Sequence, residues 1–450
     1  MNEKHTEVFA SAPIPVAVAK NAIPAMISML VTLIYNLADT FFVGQTNDAL
    51  QVAAVSACTP IFLLLTGFGM IFGIGGTSMI SRAFGRGEEE YAKKICSFCF
   101  WSAVGLGIVM ALIYLLGMDV LVGLIGTSKA SSHFAVEYLT WIAPAAPFTL
   151  ISSTFSNTIR AEGKATVAMS GMMMGTLINI VLDPVMILWM DMGVAGAAVA
   201  TLIGNVCSAA FYLIYFLTGK SRMSISLKHF SAKNGIASGV LAIGIPAGLN
   251  SLMMTVSNVS MNNVMASYGD VQLAAMGVAM KVCSILVMLQ LGLGQGVQPI
   301  LGFNFGAKNF KRFNATMRFT LFCTIVLGCI LTAICFFGSG AIVRAFIDDQ
   351  DVYTYGTQFV RAVMISGPVL GVLFLMTNAL QAMGAALPSL VLSIARQGFV
   401  FIPILLILNA IFGLNGAVYT QPVTDVVAII MSCVMFIIVL RKSMARMKQS

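Results

Sequence analysis

The 450-residue sequence contains 58% hydrophobic and only 9% charged residues, whereas an ordinary globular domain carries about 25% charged residues. So few charges could not cover the surface of a soluble protein, and the mean hydropathy of +0.93 agrees. The composition therefore excludes soluble, disordered and fibrous proteins and predicts a polytopic membrane protein. We interpret the formal net charge of +8 as a topology signal rather than as a sign of nucleic-acid binding.

Apolar stretches long enough to cross a membrane, about 20 residues each, recur along the chain and predict an all-α membrane protein. Glu3, Glu7 and two prolines precede the first stretch, so we expect a retained span rather than a signal peptide. The twelve predicted spans cover residues 22–44, 52–81, 95–117, 135–160, 165–190, 194–218, 236–266, 271–303, 317–338, 356–381, 386–411 and 416–440.

The distribution of basic residues predicts the orientation. The two tails and the loops after spans 2, 4, 6, 8 and 10 hold 20 of the 25 Lys and Arg residues, whereas the opposite loops hold only Lys129 and Arg344. The remaining three, Lys281, Arg361 and Arg396, lie within spans. Because Lys and Arg are enriched in cytoplasmic loops, we expect both termini in the cytoplasm and the protein in the cell membrane, the inner membrane of a bacterium.

The two halves of the sequence repeat one another at an offset of 220 to 222 residues. The matched positions include Ile23-Pro24-Ala25 and Ile245-Pro246-Ala247, Asn36 and Asn258, Pro147 and Pro368, Gly163 and Gly384, and Gly196 and Gly416. Repeats of six spans share one orientation, so their symmetry axis runs along the membrane normal. We expect an N-terminal lobe at 1–218, a cytoplasmic linker at 219–235 and a C-terminal lobe at 236–450. Two such lobes around a central cavity favour an alternating-access transporter, and a channel is the alternative.

Motifs for two membrane-enzyme classes are missing from the sequence. It has no GxxxxGK[ST] phosphate-binding loop and no HExxH zinc motif, and no His lies within a predicted span. The sequence therefore lacks the residues that ATP-driven transport and intramembrane zinc proteolysis require. We expect neither enzymatic activity nor a resident cofactor.

Two aspartates lie inside predicted spans of the N-terminal half, where a charge is costly and indicates a function. Asp39 precedes the end of span 1 by five residues and Asp183 precedes the end of span 5 by seven, so both lie about 8–10 Å below the same membrane face. Thr201 in span 6 falls at a similar depth, and Asn179 shares a helical face with Asp183. We expect these four residues to form one cation-binding site.

The residue types in this cluster leave the coupling ion open. Hard oxygen ligands suit Na⁺, and carboxylates in an apolar setting suit H⁺. The alternative is that Asp39 and Asp183 only hydrogen-bond neighbouring helices. Against that alternative, the internal repeat aligns Asp39 with Met261 and Asp183 with Ile404, so the carboxylates are not part of the shared scaffold.

Further polar residues within spans are assigned by position. Tyr35 and Asn36 lie one helical turn before Asp39, and together with Asn157 they are candidates for a substrate cavity. Arg396 and Asp425 both fall roughly 15 Å deep on consecutive antiparallel helices. We expect them to form a structural ion pair, with contact to substrate as the alternative.

These residues together resemble the multidrug and toxic compound extrusion (MATE) family over essentially the whole chain. The similar features are the Ile-Pro-Ala opening of each half, Asp39 within YNLADTFFVG, Asn179 before Asp183-Pro184, Thr201, and RQGFVFIP at 396–403. Acidic residues confined to the N-terminal half resemble the DinF-like branch, since the NorM branch places further acidic residues in the C-terminal lobe. Asp425 departs from that pattern.

The resemblance implies export of organic cations and amphipathic drugs in exchange for H⁺ or Na⁺, with Asp39, Asn179, Asp183 and Thr201 as the cation site. We therefore expect a secondary active multidrug exporter that works as a monomer in the lipid bilayer and binds small-molecule drugs but no nucleic acid. A flippase for a lipid-linked intermediate and, further off, a channel are the alternatives.

Overall fold

The computed structural model describes residues 8–46, 48–125, 130–347 and 349–449, and these ranges contain helices and no strand. Glu3, Glu7 and Lys129, which contribute to the sequence-based expectations, lie outside them. The membrane helices are numbered α1 to α12 in chain order. They are α1 Ile14–Gly44, α2 Ala49–Gly85, α3 Glu89–Leu116, α4 Ser132–Thr158, α5 Ala165–Pro184, α6 Gly193–Leu217, α7 Ile236–Ala266, α8 Asp270–Gly306, α9 Phe310–Phe337, α10 Gln350–Val363 continued by Gly367–Met383, α11 386–412 and α12 414–449.

The last two helices are separated by a reversal at Gly413. Its backbone, with φ 58° and ψ −139°, is not helical. Arg396 and Asp425 are 29 residues apart, and a straight helix would separate them by about 43 Å, yet an Arg396 nitrogen lies 3.0 Å from Asp425 Oδ1. The chain therefore turns back at Gly413. The eleven apolar helical segments found in the described ranges thus make twelve crossings, as the sequence predicts.

Several helices begin earlier than the predicted spans. α1 starts at Ile14 rather than at residue 22, because a proline in the first helical turn fits the geometry of that turn. α9 starts at Phe310 rather than at 317 and α10 at Gln350 rather than at 356, where Asn309 and Asp349 accept hydrogen bonds from backbone amides of the first turn. Hydropathy locates the part of a helix that crosses lipid, whereas these capping residues locate where the helix begins.

The internal repeat predicted from the sequence is visible in the backbone. Gly163 and Gly384, which are matched positions, follow the fourth helix of each half with left-handed φ values of 82° and 78°. Only glycine adopts this conformation without strain, so both positions need the same residue. The same chain reversal therefore occurs in both halves.

The two lobes meet where α2 and α8 end. A Cβ atom added to Gly85 would overlap the carbonyl oxygen of Phe303, and one added to Gly306 would overlap that of Arg82. Gly85 matches Gly306 and Arg82 matches Phe303 at an offset of 221, so the two contacts are equivalent under a two-fold axis between α2 and α8. We call this end of the molecule, where the first described residues pack on α8, the terminal end.

Polar contacts also join the lobes at the terminal end. Ser78 Oγ donates to the carbonyl oxygen of Gln381. Arg160 Nη1 donates to Gln295 Oε1 at 3.1 Å, and Arg160 is only 2% exposed. Arg160 is the last residue of predicted span 4 and is counted with the basic residues of the loop that follows, so topology did not predict its burial. The lobes therefore fit closely together at this end.

The linker between the lobes packs on the first lobe. Buried Glu162 accepts hydrogen bonds from Tyr215 Oη at 2.5 Å and from Ser221 Oγ at 2.9 Å. Trp101 Nε1 donates to the carbonyl oxygen of Ile225 at 3.0 Å. These contacts fix the polar linker against the terminal end.

Candidate cation site

Asp183 lies at an irregular point of its helix. It directly precedes Pro184, which has no N–H and ends α5, and a π-helical turn follows at Val185–Trp189. Such turns interrupt the regular helical hydrogen bonds and often occur at functional sites. Asp183 itself is fully buried. A buried carboxylate therefore lies next to an interruption of the regular helix.

The Thr201 hydroxyl joins three helices. Thr201 Oγ1 lies 3.3 Å from Tyr35 Oη of α1 and accepts a hydrogen bond from Asn179 Nδ2 of α5 at 3.3 Å. Asp39 lies one turn beyond Tyr35 on α1, and Asp183 one turn beyond Asn179 on α5. The structure thus brings Tyr35, Asn179 and Thr201 into contact and places both aspartates on the flanking turns. We call these five residues the acidic cluster.

The acidic cluster has more hydrogen-bond acceptors than donors. Within the described part of the chain, Asp39 Oδ1, Asn179 Oδ1 and both carboxylate oxygens of Asp183 are buried without a hydrogen-bond partner. None of the ion pairs among the described residues includes Asp39 or Asp183. A buried acceptor without a donor costs free energy, and a buried carboxylate without a counter-charge costs more. A bound cation would remove both costs, and carboxylate, amide and hydroxyl oxygens suit Na⁺ as well as H⁺.

Tyr138 is a site residue that the sequence reasoning missed. It is 7% exposed and interacts electrostatically with Asp39, Tyr35 and Asp183. The depth argument that located Thr201 could have found it, because Tyr138 lies six residues into α4 from the same membrane face, about 9 Å deep. The phenol thus lies within electrostatic range of the carboxylates, without a hydrogen bond to them among the described residues.

The other two cavity candidates lie apart from the acidic cluster. Asn36 is exposed. Asn157 donates to the carbonyl oxygen of Ser153 in its own helix at 2.9 Å. It follows Tyr138 by 19 residues, about 28 Å along α4, so it lies near the terminal end, where Gly73 packs against it.

The second lobe holds a charged group of a different kind. Asp425 Oδ1 accepts hydrogen bonds from Arg396 Nε and Gln421 Nε2, each at 3.0 Å, and Ser366 Oγ donates to Oδ2 at 2.8 Å. Arg396 lies in a second π-helical turn, Ala395–Phe399. Unlike the carboxylates of the acidic cluster, Asp425 has donors on both oxygens and a basic partner.

A helical membrane protein of two repeated six-helix lobes, with a buried anionic cluster in one lobe, has the architecture of a transporter. Residues 24–185 and 246–407 each match the MatE family model, and these two blocks are offset by 222 residues, like the internal repeat. The chain therefore belongs to the MatE family. It is a multi-pass membrane transporter and not an enzyme.

Relatives and solved structures agree with this assignment. The multidrug export protein MepA of Staphylococcus aureus strain MSSA476 is 29% identical over 425 residues, 94% of each chain. MepA of Staphylococcus haemolyticus is 29% identical over 438 residues, 97% of this chain and 96% of the relative. The crystal structure of MATE in complex with MaL6 superposes with a TM-score of 0.93 at 22% identity, covering 99% of this chain and 100% of the other. An outward-facing MATE family transporter of the MOP superfamily superposes with a TM-score of 0.92 at 23% identity, covering 98% and 99%. These structural likenesses establish the shared fold.

Proposed function

We propose that the protein is a multidrug exporter that moves organic cations across the cell membrane in exchange for H⁺ or Na⁺. The observation that carries this proposal is the set of four buried acceptor oxygens in the acidic cluster that lack a donor among the described residues. A proton, Na⁺ or a cationic drug each neutralises the same charge. Because they compete for that charge, binding of one displaces the other, and this competition couples the two fluxes.

The lobe contacts support alternating access. Buried residues form a continuous run at 72–81 in α2 and at 292–302 in α8, both toward the terminal end. In the first halves of these helices, buried positions are interspersed with partly or fully exposed ones. The lobes are therefore closed at the terminal end. Opening there requires the cross-lobe contacts to break, so this end acts as a gate.

A reversible cross-link tests the gate. A Cβ added to Gly302 would lie 3.1 Å from Ser81 Cβ across the lobe contact, close to the 3.5–4.5 Å of a disulfide. We expect oxidised Ser81→Cys/Gly302→Cys protein to lose drug export and to regain it on reduction. Each single variant, oxidised in the same way, is the control. Full export by protein shown to be cross-linked would contradict opening at the terminal end.

We also propose that the terminal end faces the cytoplasm, with lobes at 1–218 and 236–450 and a linker at 219–235. The basic residues of the tails and loops on that side support this orientation. A C-terminal alkaline phosphatase fusion, active only outside the cytoplasm, should be inactive, and a green fluorescent protein fusion should fluoresce. The reverse result would invert the topology.

Two other functions make different predictions. A flippase for a lipid-linked anion needs a cationic cavity, whereas the donor-free charges here are carboxylates. A channel needs no exchange, so it would release drug without an ion gradient. We also propose that the protein works as a monomer in the inner membrane of a bacterium. Its ligands in this proposal are small-molecule drugs and not nucleic acids.

Proteoliposomes test the exchange directly. Purified protein is reconstituted with ethidium inside, and an inward H⁺ gradient or an inward Na⁺ gradient is imposed separately. We expect efflux to accelerate with one of the two gradients and to stop when an ionophore collapses it. Efflux that is the same with and without either gradient would exclude coupled exchange.

A further inference from the structure

A small pocket with a mixed apolar and polar lining lies in the second lobe among α7, α8, α11 and α12. Its volume is about 50 Å³, and Met254, Asn258, Met280, Met288, Gln397 and Gln421 are among its lining residues. Three methionines and three amides make a wall that is both polarisable and hydrogen-bonding. Methionine adapts its shape to different apolar partners, which favours broad ligand selection.

Two of these amides have no protein partner. Gln397 is only 7% exposed, and among the described residues neither its side chain nor that of Asn258 makes a hydrogen bond, although the Gln397 backbone carbonyl accepts one from Ser257. Asn258 is exposed, and neither side chain is among the described ones that bury a polar atom without a partner, so the amide atoms of both residues are accessible and free to bind. Because both amides line the pocket, a bound group can supply the missing hydrogen bonds.

The internal repeat relates this pocket to the acidic cluster. Asn258 is the counterpart of Asn36 at an offset of 222, and Gln421 is the counterpart of Thr201 at 220. Gln421 thus corresponds to a member of the acidic cluster, and Asn258 corresponds to a residue one helical turn before Asp39, so the pocket lies close to the position in the second lobe that the cluster occupies in the first. The chemistry differs, because Asp425 is already neutralised by Arg396 and hydrogen-bonded by Gln421 and Ser366.

The pocket also lies beside the space between the lobes. Ser251 Oγ of α7 contacts Met70 Sδ of α2 at 3.8 Å, across the lobe boundary. Met254 is one helical turn further along α7, away from the terminal end, and is 37% exposed. The pocket thus begins where the lobe contact ends.

We propose that this pocket is a second substrate subsite that binds an uncharged, hydrogen-bond-accepting group of a cationic drug. The inference rests on the proposed export function. The pocket is far smaller than the roughly 300–1,000 Å³ of a site for a whole drug, so it receives one part of the molecule, such as a carbonyl group on an aromatic ring. The amide N–H groups of Gln397 and Asn258 donate hydrogen bonds to that group. The charged part of the same drug binds at the acidic cluster.

Binding of two cations to detergent-purified protein tests the subsite. Rhodamine 6G carries an ester carbonyl, whereas tetraphenylphosphonium has no acceptor. We expect Gln397→Leu to weaken rhodamine 6G binding about tenfold, as loss of one buried hydrogen bond predicts, and to change tetraphenylphosphonium binding less than twofold. Asn258→Leu should act in the same direction. Asn262→Leu, at an exposed position of α7, is the matched control and should change neither.

Thermal stability separates a ligand-binding role from a structural one. Because the Gln397 side chain lacks a protein partner, Gln397→Leu should keep or raise the melting temperature. A lower melting temperature with unchanged rhodamine 6G affinity would show a structural role and would overturn the proposal. If Gln397→Leu does not yield folded protein, Asn258→Leu and Asn258→Ala provide the same comparison. Equal weakening of both cations, or of neither, would also overturn it. Failure of the wild type to bind or export rhodamine 6G would instead refute the proposed function.

Discussion

Asp39→Asn is expected to reduce gradient-driven drug efflux to the rate of protein-free liposomes, and Asp183→Asn is expected to do the same. Each change removes a negative charge while nearly preserving the shape of the side chain. Drug and ion displace each other only if both bind the same negative charge. When that charge is removed, the ion gradient can no longer drive the drug off the site, so coupled efflux is lost. Efflux from proteoliposomes, with the protein content of each preparation matched, measures the effect.

Asp191→Asn is the matched control for these variants. Asp191 is exposed and has a φ of 52°, a conformation that asparagine adopts as readily as aspartate. We expect this variant to transport normally. Undiminished export by the Asp39→Asn/Asp183→Asn double variant would rule out the acidic cluster as the coupling site.

Substitution of the neutral members of the cluster discriminates between the ions. Thr201→Ala removes the hydroxyl that contacts both Tyr35 and Asn179, and Asn179→Ala removes an amide oxygen that lacks a donor. Only Na⁺ needs several direct oxygen ligands. Both variants should therefore lose efflux severely if Na⁺ is the coupling ion and mildly if H⁺ is.

Asp425→Asn should destabilise the protein by about 3–5 kcal/mol, the cost of leaving a buried guanidinium without its carboxylate. Arg396→Met should be similarly harmful, since it leaves the carboxylate without its counter-charge. The double variant Arg396→Met/Asp425→Asn should regain much of the loss because no buried charge remains. A charge swap should restore less, because Ser366 and Gln421 both donate toward position 425.

Melting temperature and the yield of monodisperse protein in detergent measure these effects. Asp270→Asn, which changes an aspartate in the first turn of α8, is the control. Normal stability of Asp425→Asn with loss of transport would assign Asp425 to the substrate path instead.

Depth along a helix was enough to predict much of the acidic cluster. A helix rises by a constant distance per residue, so residue counts from a membrane face place Asp39, Asp183 and Thr201 at one depth. In the structure, Thr201 contacts α1 and α5, the two helices that carry these aspartates. Tyr138 satisfies the same count, but a neutral phenol within a span carries no charge that would indicate a function from the sequence. The number of spans and the internal repeat were also predictable, since both depend on composition and spacing.

Other features depend on tertiary contacts and have no local sequence signal. Arg160 lies at the boundary between predicted span 4 and the following loop, yet it is buried and donates to Gln295 of the second lobe. The π-helical turns beside Asp183 and around Arg396 arise from a single shifted hydrogen bond, which hydropathy does not report. The free amide of Gln397 is likewise recognisable only when every neighbour has been placed.

Drug and coupling ion are expected to compete for the carboxylates of the acidic cluster. Equilibrium binding of ethidium to purified protein, measured by fluorescence polarisation as pH and Na⁺ concentration are varied separately, tests it most directly. If one proton displaces the drug, the apparent Kd should rise about tenfold for each unit of pH below the range in which the site is deprotonated; if Na⁺ displaces it, Kd should rise in proportion to Na⁺ concentration. In Asp39→Asn/Asp183→Asn this dependence should vanish. A wild-type Kd unchanged by either ion, or a dependence that persists in the double variant, would contradict the account.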